Sequence, residues 1–207
     1  MSDHIHAHDL IWLDSASVIE GMNAEPGNCQ WHTQLPVVVR RDTDATGRIP
    51  VGIRGHRRDQ RWAGWVRREH IVRIQTPESL TTPAHLRHSP FCWHPAIRAA
   101  LDLLLMDWTW NWGITGSAAY ALATGEPVLH AASDLDIRIH CPKRPDTKEL
   151  LRWHGMQTRF PCRIDTQVEV SRGAFSLEEW LKGAPVLLKT DKGPRLVADP
   201  WKQENGS

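Results

Sequence analysis

The stretch GSAAYALATGEPVLHAASDLDIRI, from Gly116 to Ile139, decides the fold of this chain. It opens with a glycine–serine pair at the start of a predicted helix. It closes with a strand in which Asp134 and Asp136 alternate with apolar residues. Because a strand alternates its faces, residues two apart project to the same side, roughly 7 Å apart along the backbone. The stretch therefore predicts two carboxylates on one face of a strand, close to a turn that starts a helix.

The turn at Gly116 and Ser117 has the features of a phosphate-binding turn. Backbone N–H groups at a helix N-terminus lack partners within the helix, and the helix dipole is positive there. A polyphosphate can be held at such a turn, because Gly116 lets the backbone approach closely and Ser117 can contact a phosphate oxygen. Serine is also a favoured helix cap, so the pair taken alone is equally typical of a plain cap.

The two aspartates are typical of a magnesium site. Asp134 and Asp136 supply the hard oxygen ligands that Mg²⁺ selects when it also binds substrate phosphates, whereas a lone Asp-x-Asp is usually solvated surface. Two such ions about 4 Å apart stabilise both the attacking and the leaving oxygen of an in-line displacement. The apolar alternation around the pair and the preceding turn favour the metal-binding interpretation.

A third carboxylate is expected on a neighbouring strand. The segment CRIDTQVEV offers two acids on one face, Asp165 and, further along, Glu169. Asp165 is the better candidate because it lies where the strand begins, although the sequence leaves the choice open. Ion pairing of Asp165 with Arg163 or Arg138 is the structural alternative.

Composition excludes several classes of protein. The chain has 207 residues and a formal net charge of +1, too near zero for a general nucleic-acid binder. Its longest apolar run, AIRAALDLLLMDWTW, is too short and too charged to span a membrane, and the N-terminus does not resemble a signal peptide. We therefore expect a cytoplasmic protein. The four cysteines form no CxxC pair, which argues against a zinc ribbon or a disulfide framework, and structural zinc at the histidines is not expected.

Positive charge is concentrated in one segment. Between Arg40 and Arg73 the chain has ten arginines and four acidic residues. This excess predicts an anionic ligand, although any single arginine is typically solvated. The strongest candidates for bidentate contacts to phosphate are those in and after VGIRG, namely Arg54, Arg57, Arg58 and Arg61.

Two domains are predicted. The first part has short β-branched runs (DLIWL, LPVVVRR, RIPVGIRG and EHIVRIQ), which predict a β-rich domain over residues 1–85. The proline-rich stretch TPESLTTPAHLRHSP is interpreted as a connector. Helices and strands alternate afterwards, ending in a hairpin over PVLLKTDKGPRLV, so residues 86–207 are predicted to form an α/β (α+β) domain with a small mixed sheet.

These residues carry a resemblance. A glycine–serine turn opening a helix, an Asp-x-Asp strand and a later strand acid resemble the nucleotidyltransferase superfamily of DNA polymerase beta type. Most of the chain resembles, more specifically, the malonate decarboxylase holo-acyl-carrier-protein synthase family, also called phosphoribosyl-dephospho-CoA transferase. The segments that carry this resemblance are PVVVRR, IPVGIRGHRRDQRWAGWV, WGITGSAAYALATG, SDLDIRI, RIDTQVE and VLLKTDKGPRLV.

The resemblance implies a nucleotidyltransferase-like catalytic domain preceded by a smaller, basic, substrate-binding domain. The implied reaction moves a phosphoribosyl-dephospho-CoA unit from triphosphoribosyl-dephospho-CoA to a serine of an apo acyl carrier protein, with release of diphosphate. It also implies Asp134, Asp136 and Asp165 as ligands of two Mg²⁺ ions and Gly116 and Ser117 as the triphosphate cradle. We further expect the arginine segment and Lys189, in the last hairpin, to contribute positive charge to donor binding.

Two other functions remain open from the sequence. The chain could be a nucleotidyltransferase that uses an ordinary nucleoside triphosphate on RNA, a protein or a small molecule. It could also be a catalytically silent module that binds the carrier protein or its prosthetic-group precursor. The VGIRG arginine block argues against the first of these, and the closely spaced aspartates beside a Gly-Ser turn argue against the second.

Overall fold

The computed structural model describes residues 4–21, 31–55, 60–107, 109–183 and 185–202. The chain divides into two compact units, residues 1–76 and 77–207. No helix in the described part of the chain is long and apolar enough to cross a membrane.

The N-terminal unit is built on a five-stranded antiparallel sheet. Its strands follow the order β4-β3-β2-β1-β5. Their bounds are β1 (Leu10–Leu13), β2 (Val37–Val39), β3 (Ile49–Arg54), β4 (Arg61–Val66) and β5 (Ile71–Gln75). One face of the sheet forms the core of this unit, where side chains such as Ile11, Val37 and Val51 are completely buried. The β-rich prediction for this part is thereby confirmed.

Strand β4 is absent from the sequence-based prediction. Its sequence, RWAGWV, has a single β-branched residue and a central Ala-Gly pair, which is disfavoured in strands and weakens the signal of the two tryptophans. Pairing with β3 along its whole length makes it a strand nonetheless, from Ile49 opposite Val66 to Arg54 opposite Arg61.

The C-terminal unit has a six-stranded mixed sheet with helices packed on one face. The strands are β6 (Asn111–Ile114), β7 (Leu135–His140), β8 (Ile164–Val170), β9 (Gly173–Ser176), β10 (Val186–Thr190) and β11 (Gly193–Val197). The helices are α1 (Pro83–Arg87), α2 (Pro95–Leu104), α3 (Gly116–Thr124), α4 (Thr147–Met156) and α5 (Leu177–Leu181). The strand order is β11-β10-β9-β8-β7-β6. This arrangement confirms the predicted α/β (α+β) class with a mixed sheet.

One parallel strand pair organises this sheet. Strands β7 and β8 run parallel, and helix α4 forms the crossover between them, whereas β6–β7, β8–β9, β9–β10 and β10–β11 are antiparallel. A parallel pair needs such a crossover, and the crossover brings the starts of both strands to the same edge. The starts of β7 and β8 are where the sequence places its aspartates.

Local signals in the sequence explain where the helices begin and end. Asp146 caps α4 by accepting a hydrogen bond from the Lys148 N–H at 2.9 Å. Ser176 caps α5 in the same way through the Glu179 N–H. Gly125 ends α3 in the left-handed conformation that glycine adopts most easily. Asp and Ser are preferred N-cap residues and glycine is preferred just after a helix, so the sequence itself indicates these three boundaries.

The apolar face of the parallel pair forms the core of the C-terminal unit. Leu135, Ile137 and Ile139 alternate inward and are completely buried, and each such side chain contributes about 1.5–3 kcal/mol relative to exposure. The buried Trp153 of α4 donates its indole N–H to Thr166 of β8 at 3.0 Å, so the helix is also fixed by a polar contact. The opposite face of the same strands carries their polar residues.

The predicted connector is part of this second core. Leu80 and Leu86 are completely buried there, and the Ile114 N–H donates to the Pro77 carbonyl at 3.1 Å. A side chain at Gly113 would collide with Pro77, so the segment at Pro77 packs closely against strand β6. Residues 77–85, which the sequence analysis assigns to the N-terminal domain, therefore pack with the C-terminal unit.

Candidate active site

The register of the parallel pair places two predicted acids side by side. Asp136 of β7 lies opposite Asp165 of β8. The pair before it is Leu135 and Ile164, and the pair after it is Ile137 and Thr166. Both aspartates are half-buried and project to the sheet face opposite the buried Leu135 and Ile164 side chains. Asp134 immediately precedes β7 and is also half-buried. Asp136 and Asp165 are thus neighbours near the start of the parallel strands, and Asp134 lies two residues before Asp136 in the chain.

The glycine turn is packed directly against Asp136, one member of this pair. Gly116 has φ +64°, and a Cβ there would collide with the Asp136 carboxylate, whose Cγ would be only 2.8 Å away. The Thr115 N–H donates to the Asp136 carbonyl at 2.9 Å, which ties the turn to β7. Thr115 is the N-cap of α3 but makes no side-chain capping hydrogen bond. The structure therefore packs the turn at Gly116, which Ser117 follows, against Asp136.

The surroundings of Glu169 differ from those of Asp165. The Arg138 side chain is 7% exposed and lies 3.2 Å, Nε to Oε2, from Glu169. The same guanidinium donates to Glu78 Oε1 at 2.7 Å. Glu169 therefore belongs to a buried ion-pair group, whereas Asp165 lies next to Asp136. This arrangement favours Asp165 as the third acid. Arg138, the other candidate partner of Asp165, forms its ion pairs with Glu78 and Glu169.

Asp134 has a cationic neighbour. Arg163 Nη1 lies 3.6 Å from Asp134 Oδ2, and Nη2 of the same guanidinium donates to Glu178 at 3.2 Å. Lys182 also donates to Glu178, and these contacts, the Lys182 hydrogen bond foremost, lower the pKa of Glu178. Arg163, a candidate partner of Asp165 from the sequence, instead contacts Asp134 and Glu178 in the structure.

Cys162 is a half-buried thiol close to the same acids. Burial raises the pKa of the Cys162 thiol, a hydrogen bond with Leu135 opposes this, and the negative charge of Asp134 adds to the rise. Cys92, Cys141 and Cys162, the cysteines that the structure describes, are free thiols. Burial and the charge of Asp134 therefore both disfavour the thiolate form of Cys162.

The donor set fits magnesium bound together with a phosphate ligand. Within the described ranges, no group of three acidic, histidine or cysteine side chains is arranged as a ready metal site. Mg²⁺ commonly takes only one or two carboxylates and completes its coordination with water and substrate phosphates. Asp136 and Asp165 are adjacent, and the Asp136 carboxylate occupies the space where a Cβ of Gly116 would lie. These two acids beside the turn supply such a partial set.

Two of the four predicted arginines lie opposite each other in the N-terminal unit. Arg54 and Arg61 are cross-strand partners at the end of the β3–β4 hairpin, so their side chains point to the same face. Arg57 and Arg58 lie outside the described residues. The side chain of Arg40 covers Gly52 on this face, 3.3 Å from where a glycine Cβ would be. The sequence includes Arg40 in the basic segment but does not distinguish it as a strong phosphate-binding candidate, and Gly52, two residues before Arg54, was the available signal.

Several arginines of the basic segment have acidic partners, and Arg40 is one of them, with its guanidinium 3.1 Å from the Asp42 carboxylate. Arg48 forms ion pairs with Asp44 at 2.8 Å and with Glu20 at 2.7 Å, and Arg67 lies 3.4 Å from Glu20. The Arg48 hydrogen bonds hold the pKa values of Asp44 and Glu20 below their ordinary range. Arg48 and Arg67 stabilise the loops around the sheet, so the positive charge of the segment is smaller than its sequence suggests.

Lys189 lies away from the acid cluster. It is exposed on β10, opposite Ala174 of β9, which in turn lies opposite Glu169 of β8. Glu169 is four residues along β8 from Asp165, a separation of roughly 13 Å. The structure therefore does not bring Lys189 together with the aspartates.

Comparisons with known proteins assign the chain to a family. Residues 79–200 match the family model described as the phosphoribosyl-dephospho-CoA transferase MdcG C-terminal domain, and residues 6–77 match the model of its N-terminal domain. The chain belongs to the phosphoribosyl-dephospho-CoA transferase family. Family membership confirms the expectation of a transferase enzyme.

Relatives are similar over the full length of the chain. A phosphoribosyl-dephospho-CoA transferase of Klebsiella pneumoniae is 52% identical, covering 99% of this chain and 100% of the relative. Transferases with the same description from Azotobacter vinelandii and Pseudomonas putida are 38% and 41% identical, over 95% and 94% of this chain and 94% of each relative. No solved structure matches the chain.

Proposed function

We propose that this chain transfers the phosphoribosyl-dephospho-CoA group from 2'-(5''-triphosphoribosyl)-3'-dephospho-CoA to a serine of the apo acyl carrier protein subunit of malonate decarboxylase, releasing diphosphate. The observation that carries the proposal is the Asp136–Asp165 pair against the Gly116 turn, in a chain whose family takes its name from this group. We further propose that the reaction takes place in the cytoplasm.

The reaction forms one bond and breaks one. The serine oxygen of the carrier forms a bond to the α-phosphorus of the donor, and the bond from that phosphorus to the diphosphate oxygen breaks. The electron pair of the broken bond leaves with diphosphate, and the serine proton passes to a base. Asp165 is the proposed base, because it is half-buried and lies beside Asp136 near the start of the parallel strands.

Asp134, Asp136 and Asp165 would hold Mg²⁺, two ions in our proposal. When bound, Mg²⁺ supplies positive charge that neutralises the phosphates of the donor and the departing diphosphate. The acids themselves orient the reacting groups, since Asp136 is fixed by the Thr115 hydrogen bond to its backbone and by contact with Gly116.

The remaining predicted residues would bind the donor. The N-terminus of α3, at Gly116 and Ser117, presents backbone N–H groups and a positive dipole to the triphosphate. Arg54, Arg57, Arg58 and Arg61 are proposed to bind donor phosphates, with Lys189 as a more distant positive charge. The side chain of Arg40, on the same sheet face as Arg54, is added to this set.

The test measures the mass of the carrier subunit. The apo carrier is incubated with the protein, Mg²⁺ and either triphosphoribosyl-dephospho-CoA or ATP, and then weighed intact. We expect a gain of one phosphoribosyl-dephospho-CoA unit, which is lost with EDTA and with Asp136→Asn. The matched variant Asp102→Asn changes an exposed acid on α2 and should keep the wild-type gain.

The other outcomes identify the alternative functions. A nucleotide adduct that forms only from ATP would support an ordinary nucleotidyltransferase and overturn the donor assignment. If neither donor gave an adduct, while the protein still bound the carrier, the silent binding module would replace the enzyme proposal.

A further inference from the structure

Asp134, Asp136, Arg163 and Asp165 occupy four neighbouring positions on one face of the β7–β8 pair. Leu135 lies opposite Ile164 and Asp136 opposite Asp165 in the parallel register. Extending this register by one residue brings Arg163 opposite Asp134. The Leu135 N–H donates to the Arg163 carbonyl at 3.0 Å, so the backbones of this corner are bonded to each other. These four neighbouring positions therefore carry three carboxylates and one guanidinium.

The Arg163 side chain is held by contacts that exchange easily. It lies 3.6 Å from Asp134 and 3.2 Å from Glu178. The side chains of Arg163, Asp134 and Glu178 are 62%, 40% and 46% exposed. Ion pairs this exposed contribute little to stability, so replacing either carboxylate by another anion has a small free-energy cost.

We propose that Arg163 is a donor-binding residue that takes the polyphosphate of the substrate and leaves Asp134 to the divalent cation. The location of the donor rests on the proposed function. A cation at Asp134 competes with the Arg163 guanidinium for the same carboxylate, and a polyphosphate beside that cation gives Arg163 a new partner. The planar guanidinium matches phosphate oxygens in a bidentate way that an ammonium group does not.

Glu178 has a defined part in this proposal. It contacts Nη2 of Arg163, whereas Asp134 contacts Nη1, and it is itself bound by Lys182. Glu178 thus competes with the polyphosphate for the same guanidinium. Removing its charge is expected to strengthen polyphosphate binding, whereas a purely structural role would predict weaker or unchanged binding.

The experiment uses calorimetry on the full-length protein with Mg²⁺ alone and with inorganic tripolyphosphate in saturating Mg²⁺. Arg163→Gln should bind Mg²⁺ about two- to threefold more tightly, since an exposed competitor is removed. The same variant should bind tripolyphosphate about tenfold more weakly, as expected for the loss of a charge-assisted contact. Arg163→Lys should fall between Arg163→Gln and wild type for tripolyphosphate, and Glu178→Gln should bind it about twofold more tightly.

The matched control is Arg159→Gln. Arg159 is exposed in the turn after α4, so this variant makes the same change of charge four residues away from Arg163. It should leave both affinities at their wild-type values. Equal losses of both affinities in Arg163→Gln, or no change in either at an unchanged melting temperature, would overturn the proposal.

The measurement separates this proposal from the proposed function. Opposite changes in Mg²⁺ and tripolyphosphate affinity would support the role of Arg163 even if no group reached the carrier protein. Conversely, successful transfer to the carrier with unaltered affinities in Arg163→Gln would keep the function and reject the role of Arg163.

Discussion

Replacing Gly116 by alanine tests whether the turn and the acid pair act as one site. Gly116 has φ +64°, a conformation that costs an alanine about 1–2 kcal/mol. The new Cβ would also lie 2.8 Å from Asp136 Cγ and 3.1 Å from its Cβ, besides colliding with a carboxylate oxygen. Because the base of this short side chain is involved, Asp136 cannot relieve the contact by moving its tip alone.

Two effects are expected in Gly116→Ala. Strain at the turn should lower the melting temperature by about 2–8 °C, at roughly 2–4 °C per kcal/mol for a chain of this size. Displacement of the Asp136 carboxylate by about 1 Å should lower the rate of transfer to the carrier by about 100-fold. Thermal unfolding and intact-mass rate measurements report these effects separately.

Gly125→Ala is the matched control. Gly125 ends the same helix with φ +76°, and a Cβ there has no atom within 4 Å among the described residues. This variant should lose a similar amount of stability and keep the wild-type transfer rate. The reasoning is refuted if Gly116→Ala transfers at the wild-type rate, or if Gly125→Ala loses as much activity.

Three further predictions concern single side chains. Asp165→Asn should lower the transfer rate by about 10²- to 10⁴-fold, as for loss of a general base, with an unchanged melting temperature. Glu169→Gln should keep the transfer rate but lose about 1–2 kcal/mol of stability in urea unfolding, because Arg138 loses one of its two carboxylates. Burial raises the pKa of the Cys141 thiol from 9.0 to about 11, so the unfolded state binds fewer protons between these values. Stability should therefore fall as pH rises from 9 to 11, and Cys141→Ala should reduce that fall.

Helix boundaries could be predicted from the sequence because local chemistry determines them. Asp146, Ser176 and Gly125 act within a few residues of their own positions, through a side-chain oxygen or a left-handed backbone. The buried connector could not be predicted in the same way. Leu80 and Leu86 are buried by residues distant in the chain, while the prolines around them have the composition of a loop.

The basic segment shows a second limit of sequence reasoning. An excess of arginine predicts an anionic ligand, but it does not tell which guanidinium already has a carboxylate partner. Arg48 is bound by Asp44, four residues before it, and by Glu20, which is distant in sequence. Arg54 and Arg61 lie opposite each other only because β4, the strand with the weak sequence signal, pairs with β3.

The pairing of β7 with β8 distinguishes Asp165 from Glu169, whereas the alternating pattern of β8 alone does not. Both acids lie on the same face of β8, so a period of two cannot distinguish them. The parallel register can, because it aligns Asp165 with Asp136 and moves Glu169 four residues along the strand. Strand β7 also explains the role of Glu169. Two residues after Asp136 it carries Arg138, a buried guanidinium that needs carboxylate partners, and Glu169 is one of them. One strand pair thus supplies both the acids of the candidate site and the ion pair that removes Glu169 from it.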